Sequence, residues 1–307
     1  MGKYQCSNEH RSRVEALQDL FAERHRFSKD LIERTQSLFG PKWTADFNNV
    51  MTALFSDEES LALAAKGYSA FALNSMRLQK AFEITQEYPI KSYAAAAKEV
   101  YFNEAYMEQK YLPGLLLSHF LWPHHYQQLQ FFDAAFLDPI SRSEFAEFAE
   151  IGIGTALYSR RILENVPEAV GVGYDISPSS CRYAERHVSS VGALARYEVS
   201  CQDILEKPIK PVSWLVCVEV LEHLENPLEF LVALRIALRP NGKAFITAAV
   251  NAAHADHIYL YRDAQQVEHQ LQEAGFVVEQ AFSARAFAPP ASGVAVPEAA
   301  AFVVYPA

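Results

Sequence analysis

Apolar residues recur every three or four positions through the first 140 residues, which is the spacing of one buried helix face. The clearest stripes are Val14, Leu17, Leu20 and Phe21 in one segment, and Phe71, Met76, Leu78 and Phe82 in another. Separate helices are indicated by Pro41, Pro89, Pro113 and Pro123. The pattern predicts an all-α N-terminal domain, residues 1–140, and a second domain, residues 141–307, divided by the turn residues Asp138–Ser141.

The second part alternates short apolar runs with helix-like segments, a pattern typical of an α/β fold. After a first run ending near residue 151, the strand-like runs are Ala169–Ser177, Ala193–Ser200, Trp214–Val218 and Lys243–Val250. The C-terminal tail adds a candidate last strand. A turn is expected over Arg239–Gly242, because Pro and Asn-Gly break the preceding helix.

The first run ends in Ala149–Thr155, where two glycines precede a helix. Gly152 and Gly154 allow a tight turn and let the backbone approach a ligand with no Cβ in the way. Glu150 ends the strand as a hydrogen-bond acceptor. We therefore expect a nucleotide-binding strand-turn-helix at this point of the chain.

Two further acidic positions follow at the spacing of a repeated strand-helix unit. Asp175 ends the next run roughly twenty residues later, where a carboxylate accepts hydrogen bonds from both ribose hydroxyls. Ser177 and Pro178 then predict a helix start. Gln202 and Asp203 follow the third run and place an amide and a carboxylate where the exocyclic amine of adenine would lie.

In their order, these motifs resemble those of class I S-adenosylmethionine-dependent methyltransferases, over about residues 143–284. The resemblance implies a Rossmann-like, seven-stranded, doubly wound α/β sheet, S-adenosylmethionine as cofactor, and the N-terminal helices as a cap or lid. The implied cofactor contacts are Glu150, Gly152, Gly154 and Thr155 for the methionine end, Asp175 and Ile176 for the ribose, Gln202, Asp203 and Ile204 for the adenine, and Glu219 and Val220 for the inner wall.

One position departs from the pattern of that family. Ala156 stands where the family has its third glycine, and we expect it to be tolerated within the first helical turn. A dinucleotide-dependent dehydrogenase is the competing interpretation of the same glycines. The full Gly-x-Gly-x-x-Gly fingerprint is absent, with Leu157 following Ala156, which disfavours that interpretation.

Composition limits the class of partner. Half of the 307 residues are apolar, the net charge is −10, and Lys and Arg form no cluster of the kind that binds phosphate backbones. The four cysteines lack paired spacing, the polar start Met1–His10 lacks a signal segment, and no apolar run reaches the length of a membrane span. We expect a cytoplasmic protein with a small-molecule substrate and no nucleic-acid or membrane partner. The composition leaves open whether the protein forms a homodimer.

Aromatic residues crowd the end of the helical part. They are Tyr101, Phe102, Tyr106, Tyr111, Phe120, Trp122, Tyr126, Phe131, Phe132 and Phe136. Such rings suit a lid over a sulfonium cation and a small substrate, and they equally suit helices packed on a sheet. Because polar tips gather in Trp122–Tyr126, we predict Trp122 and Tyr126 as substrate contacts, and His125 and Tyr126 as catalytic residues.

Glu219, Glu222 and His223 follow the fourth run, where a helix would place the two carboxylates on one face. The element resembles the Glu-x-x-Glu-His that plant small-RNA 2'-O-methyltransferases and some ubiquinone-pathway O-methyltransferases use to hold a metal. A further ligand would be His254 or His257. Metal-free members of the superfamily also carry Leu-Glu-His-Leu, so no metal ligand is assigned, and His223 is kept as a candidate general base.

Polar side chains also gather in the loop that follows the fifth run. In Asn251–Tyr261 we predict His254 and Tyr259 as substrate contacts, with Asp256 and His257 beside them, while a loop that merely docks a helix is the equal alternative. Asp263 predicts the start of the next helix.

The resemblance implies methyl transfer to an oxygen, nitrogen or carbon acceptor. The acidic composition and the aromatic lid favour a small-molecule acceptor, of secondary metabolism or of cofactor synthesis. Catalysis would then rest mainly on positioning and desolvation. The same site suits attack on the aminocarboxypropyl arm of the cofactor, which forms azetidine-2-carboxylate and releases methylthioadenosine, a chemistry related to that of nicotianamine synthases. A non-catalytic cofactor-binding protein is the third interpretation.

Overall fold

A computed structural model gives the structure of residues 11–291 and 294–307. The polar start of the chain, including Cys6, lies outside these described residues. Within the described ranges, no helix is both long and apolar enough to cross a membrane.

The described chain is mainly helical from Arg13 to Ser141, as the sequence predicted. The helices are α1 (Arg13–Arg24), α2 (Leu31–Phe39), α3 (Pro41–Leu54), α4 (Glu58–Thr85), α5 (Tyr93–Ala96), α6 (Glu104–Tyr106), α7 (Leu112–Leu121), α8 (Pro123–Phe132) and α9 (Asp138–Ser141). They are joined by π-helical stretches over Ala97–Tyr101, Met107–Tyr111 and Asp133–Leu137, and by a 3-10 turn over Arg26–Ser28. We call this region, residues 13–141, the cap.

Local sequence signals explain where the longer cap helices begin. Ser12 and Glu15 form a capping box at the start of α1, in which each side chain accepts the backbone N–H of the other. Asp57 caps α4 by accepting a backbone N–H. Pro41 and Pro123 occupy the first position of α3 and α8, where a missing N–H costs no hydrogen bond.

The predicted boundary between the two parts differs in detail from the structure. Asp138–Ser141 forms the helix α9 rather than a turn, because Pro139 fits the first turn of a helix. The apolar core also continues without a break from the cap into the sheet, as in the cluster that holds Phe120, Phe136 and Phe245. The division at residue 140 therefore stays a prediction.

The second part is a seven-stranded sheet flanked by helices, which confirms the predicted fold class. Its strands are β1 (Glu147–Ile151), β2 (Val170–Asp175), β3 (Tyr197–Cys201), β4 (Val212–Cys217), β5 (Leu238–Val250), β6 (Phe276–Arg285) and β7 (Glu298–Pro306). Its helices are α10 (Leu157–Asn165), α11 (Pro178–Ser189), α12 (Pro227–Ile236) and α13 (Ala264–Glu273). The strand order is β3-β2-β1-β4-β5-β7-β6, with β7 antiparallel to both neighbours and the other pairs parallel.

Two predicted elements differ from the structure. Arg239–Gly242, expected as a turn, lies inside β5, where the register against β4 shifts between Val212 and Trp214. Gly242 fits this irregular pairing, because a Cβ there would lie 2.9 Å from the carbonyl oxygen of Ser213. The third strand begins only at Tyr197, since a 3-10 turn precedes it.

Successive residues of the central strands are buried on opposite faces of the sheet. Trp214 and Val216 of β4 pack in the cluster that includes the cap, whereas Leu215 and Cys217 pack in the cluster that includes α12 and α13. The cap therefore covers one face of the sheet, beside α10 and α11. It also reaches the edge at which the parallel strands end.

Candidate active site

A cavity of about 570 Å³ lies where the carboxyl ends of β1, β2, β4 and β5 meet the cap. The predicted site residues that line it are Glu150, Gly152, Gly154, Thr155, Asp175, Ile176, Glu219, Val220, Trp122, His125, His223 and His254. The predicted residues outside its lining are Gln202, Asp203, Ile204, Tyr126 and Tyr259. Open α/β sheets bind ligands at this edge, which makes the cavity the candidate active site.

The glycine turn between β1 and α10 lines one side of the cavity. Gly152 has a φ of +71°, and a Cβ there would lie 2.4 Å from Cγ2 of Val220. Gly154 has a φ of +46°. Gly152 therefore requires glycine, whereas at Gly154 only the positive φ favours it. Ala156 also has a positive φ, +54°, and precedes α10, so the expectation that it lies within the first helical turn is wrong.

The carboxylate of Asp175 is held by backbone groups at the end of β2. It accepts the N–H of Gly154 at 2.9 Å and the N–H of Ser177 at 2.8 Å. Burial raises the pKa of this carboxyl, against the lowering effect of those hydrogen bonds. Asp175 lines the cavity, and a carboxylate has further acceptor positions that suit ribose hydroxyls. The Ser177 hydroxyl donates to the Tyr101 carbonyl at 3.0 Å, which ties the cap to this loop.

Glu150 is buried at the end of β1 and holds the start of α10. Its Oε2 accepts the N–H of Ser159 at 2.8 Å and also the Ser159 hydroxyl. That hydroxyl accepts from the Tyr197 hydroxyl at 2.8 Å. Burial raises the pKa of Glu150 to about 7. Because Glu150 also lines the cavity, it can receive the ammonium group of a bound amino acid moiety.

The residues predicted to bind adenine lie outside the cavity lining. Gln202 accepts the Ser200 hydroxyl at 2.9 Å and donates to the Lys207 carbonyl at 3.0 Å. Burial raises the pKa of Tyr93, a lining residue, and the charge of Asp203 adds to this effect. The adenine assignment stays a prediction.

The segment after β4 is not the α-helix that the sequence predicted. Glu219 has a φ of +52°, and a 3-10 turn covers Leu221–His223. Thr247 holds Glu219, because its hydroxyl donates to Oε1 at 2.7 Å and accepts the Glu219 N–H at 2.9 Å. Glu222 is fully buried, and its two carboxyl oxygens have no hydrogen-bond partner among residues 11–291 and 294–307. Burial, followed by the charge of Glu219, raises the pKa of Glu222 well above its usual range.

His223 is oriented by Asp256, which lies in the loop after β5. The His223 Nδ1 atom is 3.2 Å from the Asp256 carbonyl oxygen and 3.4 Å from Oδ2 of its carboxylate. Both are acceptors, so Nδ1 carries the hydrogen and Nε2 is left as the basic nitrogen. Tyr111 of the cap donates to the same Oδ2 at 2.7 Å. Asp256, expected beside the substrate, is fully buried and positions His223 instead.

Three side chains in this region can hold a divalent cation. Glu222, His223 and His257 each offer one ligand atom, and these atoms lie within 4.8 Å of one another. The His257 Nδ1 donates to the Ala252 carbonyl at 2.7 Å, so both imidazoles offer Nε2 and are held from behind by a carbonyl, as metal ligands commonly are. The unpartnered carboxyl group of Glu222 completes the set. The residues therefore fit a metal, although the sequence analysis assigned no ligand.

The predicted cap residues separate into two groups. Trp122 and His125 line the cavity, whereas the Tyr126 hydroxyl donates to Asp46 at 3.0 Å and its ring packs on Phe39 inside the cap. Tyr126 is thus not at the site that was predicted for it. The reason is geometric, since consecutive side chains of a helix point about 100° apart.

The loop after β5 both lines the cavity and docks on the cap. His254 lines the cavity, whereas Tyr259 packs on Tyr261 with ring centroids 4.8 Å apart and does not reach it, contrary to its prediction. Gln79 of α4 donates to the Asn251 carbonyl at 3.1 Å and accepts the Ala253 N–H at 2.9 Å. The loop was predicted either to contact the substrate or to dock a helix. In the structure one part of it lines the cavity and another part docks on α4.

Sequence reasoning missed three histidines that bear on the site. His119 and His124 line the cavity beside His125. His187 of α11 lies behind the glycine turn, with Nδ1 2.6 Å from the Thr155 carbonyl oxygen. The pair His124–His125 was a visible signal, but no local pattern marked His119 or His187.

The fold is that of the class I S-adenosylmethionine-dependent methyltransferases. Three features define it: the strand order with an antiparallel β7, the glycine turn after β1 and the acidic end of β2. Residues 149–244 match a family model described as a methyltransferase domain. The chain therefore carries a methyltransferase domain of this superfamily, and the match and the geometry support S-adenosylmethionine as its cofactor.

Similar proteins agree with this assignment. The ubiquinone biosynthesis O-methyltransferase of Coxiella burnetii is 25% identical over 118 residues, which are 38% of this chain and 49% of that protein. The enzyme of the same name from Idiomarina loihiensis is 26% identical over 99 residues, 32% of this chain and 40% of that protein. The chain thus spans about half the length, or less, of these curated relatives.

Two solved structures share the fold across the cap as well as the sheet. Human N-acetylserotonin methyltransferase in complex with S-adenosylmethionine has a TM-score of 0.56 at 11% identity, with 80% of this chain and 70% of that chain covered. The mitomycin 7-O-methyltransferase MmcR has a TM-score of 0.54 at 14% identity, with 84% of this chain and 75% of that chain covered. At these identities the likeness is one of fold.

Proposed function

We propose that the protein transfers the methyl group of S-adenosylmethionine to a hydroxyl oxygen of a small molecule of secondary metabolism. The observation that carries the proposal is one cavity that joins the glycine turn and Asp175 to the His223–Asp256 pair beneath an aromatic cap. The curated relatives named above are O-methyltransferases, which supports oxygen as the acceptor atom.

The charge of the cavity lining also supports a small-molecule acceptor rather than a nucleic acid. Among the residues that line it in the described part of the chain, Arg34 is the only Lys or Arg. A nucleic-acid substrate would need several cations to neutralise its phosphates. The partner that we propose is therefore a small molecule bound under the cap.

Residues of the cavity lining would hold the cofactor. Gly152 and Gly154 would let the backbone approach its methionine end, the Glu150 carboxyl would accept from its ammonium group, and Asp175 would accept from its ribose hydroxyls. When bound, S-adenosylmethionine supplies a methyl group on a positively charged sulfur. The carboxylates around the cavity favour that positive charge.

His223 would accept the proton that the acceptor hydroxyl releases. Its Nε2 is the free basic nitrogen, since Nδ1 is engaged by Asp256. The Asp256 carboxylate then stabilises the imidazolium that forms, in the manner of other histidine-carboxylate pairs. Tyr111 holds this carboxylate in place and connects it to the cap.

A metal-assisted form of the same reaction is the second candidate, and the cluster of Glu222, His223 and His257 is the observation that favours it. A divalent cation held there would lower the pKa of an acceptor hydroxyl. Glu222 would then bind the cation as a carboxylate, which its burial otherwise disfavours.

Mass spectrometry of the reaction products tests the proposal. The purified protein is incubated with S-adenosylmethionine, first alone and then with a panel of phenols, catechols and aliphatic alcohols. We expect S-adenosylhomocysteine and a methyl ether in the presence of a suitable hydroxyl, and unchanged cofactor in its absence. Methylthioadenosine and a four-carbon amino acid formed from the cofactor alone would contradict methyl transfer and establish attack on the aminocarboxypropyl arm.

A further inference from the structure

Three histidines of the cap form a continuous surface of the cavity. His119, His124 and His125, which we call the histidine wall, all line it. The ring of His125 lies 5.5 Å from that of His119 and 4.3 Å from that of His124, measured between centroids. Trp122 stacks against His124 at 5.9 Å and Phe71 stacks against Trp122 at 5.8 Å. The wall therefore belongs to a larger surface of flat rings.

This surface reaches the proposed catalytic histidine through a chain of ring contacts. Trp122 and His254 lie 6.1 Å apart, His254 and His257 lie 4.9 Å apart, and His257 and His223 lie 4.9 Å apart, all between centroids. The candidate base and the histidine wall thus belong to one connected set of rings that lines the cavity.

The hydrogen-bond partners define which wall nitrogen carries a hydrogen. The Ser118 hydroxyl donates to the Leu115 carbonyl at 2.8 Å, so it can only accept from Nδ1 of His125, 3.3 Å away. His125 therefore presents Nε2 as an acceptor. In His119 and His124 the Nδ1 atom is buried without a partner. A buried N–H without an acceptor is rare, so the hydrogen of these two rings belongs on Nε2, as a donor.

The wall is also uncharged at neutral pH. Burial lowers the pKa of His119 and of His124 to about 4, and it lowers that of His125 well below its usual range, with a further contribution from the neighbouring histidines. Arg34, the one Lys or Arg among the lining residues of the described chain, is exposed. A buried anionic group would thus find no counter-charge at the wall.

From this arrangement we infer that the acceptor is an uncharged phenol that carries a carbonyl group on its ring, the carbonyl accepting from Nε2 of His119 or His124. The inference rests on the proposed function and names its substrate class. Stacked rings favour a planar acceptor. A hydroxyl facing His223 and a carbonyl facing the wall would orient that acceptor at both ends.

Binding of a matched pair of probes tests the inference without turnover. 4-Hydroxyacetophenone and 4-isopropylphenol have nearly the same shape, and only the first has a carbonyl. Each is titrated by calorimetry into protein saturated with S-adenosylhomocysteine. We expect the ketone to bind about tenfold tighter to the unmodified protein, which is the effect of one buried hydrogen bond.

The histidine variants assign that preference to the wall. His119→Phe and His124→Phe keep a flat ring of similar size, and His269→Phe alters an exposed histidine of α13 as the control. The tenfold preference should fall toward unity in at least one wall variant and persist in the control. An equal affinity for both probes in the unmodified protein, a preference that survives in both wall variants, or no saturable binding of either probe would overturn the inference.

Failure of the proposed function would give a different result. If the probes bind with the expected preference but S-adenosylmethionine yields no methyl ether from any hydroxyl compound, the class of ligand that the wall binds stands and methyl transfer does not. If methyl ethers form from alcohols that lack a carbonyl as readily as from those that carry one, methyl transfer stands and the acceptor class does not.

Discussion

The Nδ1 atom of His187 lies 2.6 Å from the carbonyl oxygen of Thr155, directly behind the glycine turn. The other ring nitrogen, Nε2, lies 3.1 Å from a guanidinium nitrogen of Arg160, which is a donor only. The tautomer is thereby fixed as neutral, with the hydrogen on Nδ1. Burial and the charge of Arg160 lower the pKa of His187 to about 3, so this arrangement persists at every physiological pH.

His187→Phe should therefore weaken cofactor binding. The phenyl ring fills the same space but leaves the Thr155 carbonyl and the Arg160 guanidinium without their partner, and we expect a Kd for S-adenosylhomocysteine about tenfold higher. His187→Asn restores a donor and should recover part of the loss. Calorimetry on both variants, with the exposed His269→Phe as control, checks this. Unchanged affinity in His187→Phe would show that the contact does not position the turn.

Glu150 should make the stability of the apo protein depend on pH. Its folded pKa is about 7 against an ordinary value of 4.5, so between these two pH values the folded state holds a proton that the unfolded state releases. The free energy of unfolding therefore decreases as pH rises through this window, by an amount on the order of 2 kcal/mol. Urea unfolding of wild type and Glu150→Gln at pH 5, 6, 7 and 8 measures it. The stability of the Glu150→Gln variant relative to wild type should increase up to about pH 7, and parallel profiles would refute the assignment.

Two substitutions in the glycine turn should have opposite effects. Gly152→Ala places a Cβ 2.4 Å from Val220 at a positive φ, and we expect a loss of stability of about 2 kcal/mol or more together with weaker cofactor binding. Ala156→Gly removes the strain of an alanine in the left-handed conformation, which is roughly 1–2 kcal/mol. The greater backbone entropy of glycine in the unfolded chain offsets about 0.5–1 kcal/mol of that gain in stability. Its stability should be equal or slightly higher. Thermal unfolding distinguishes these outcomes. A marked loss of stability in Ala156→Gly would show that Ala156 is not strained.

The cofactor half of the site was predictable because its signals are local. Gly152, Gly154 and Asp175 follow directly from strand ends, and a parallel sheet brings those ends to one edge. Ala156 was misjudged because its positive φ depends on how the turn meets α10, which composition alone does not reveal.

The cap half was less predictable because its pairings are distant in sequence. Tyr126 pairs with Asp46, eighty positions earlier, and Tyr111 pairs with Asp256, 145 positions later. Neither pairing leaves a periodic trace in the chain. Similarly, Arg239–Gly242 contains strong turn residues, yet pairing with β4 keeps them within β5. Tertiary contacts override local propensity in each of these cases.

Removal of divalent metals should leave turnover unchanged if His223 acts as the base. Burial and the nearby Glu219 raise the pKa of Glu222, which favours its neutral form, and Glu222→Gln is a neutral group of the same shape. We expect less than about a threefold change in kcat for this variant, similar to Glu273→Gln, an exposed control in α13, and no effect of dialysis against a chelator. Activity lost with the chelator and restored by Mg²⁺, Mn²⁺ or Zn²⁺ would support the metal-assisted form instead.

Asp256→Asn should lower kcat without weakening cofactor binding. The variant retains the backbone carbonyl that accepts from His223, but it loses the carboxylate that would stabilise the imidazolium, and we expect kcat to fall by about tenfold or more. Tyr111→Phe removes only the hydroxyl that holds this carboxylate, so its effect should be smaller. Single-turnover rates with saturating cofactor, alongside the Kd for S-adenosylhomocysteine, separate chemistry from binding. If both variants lost cofactor affinity and kept their single-turnover rate, Asp256 would serve to close the cap and not to assist His223.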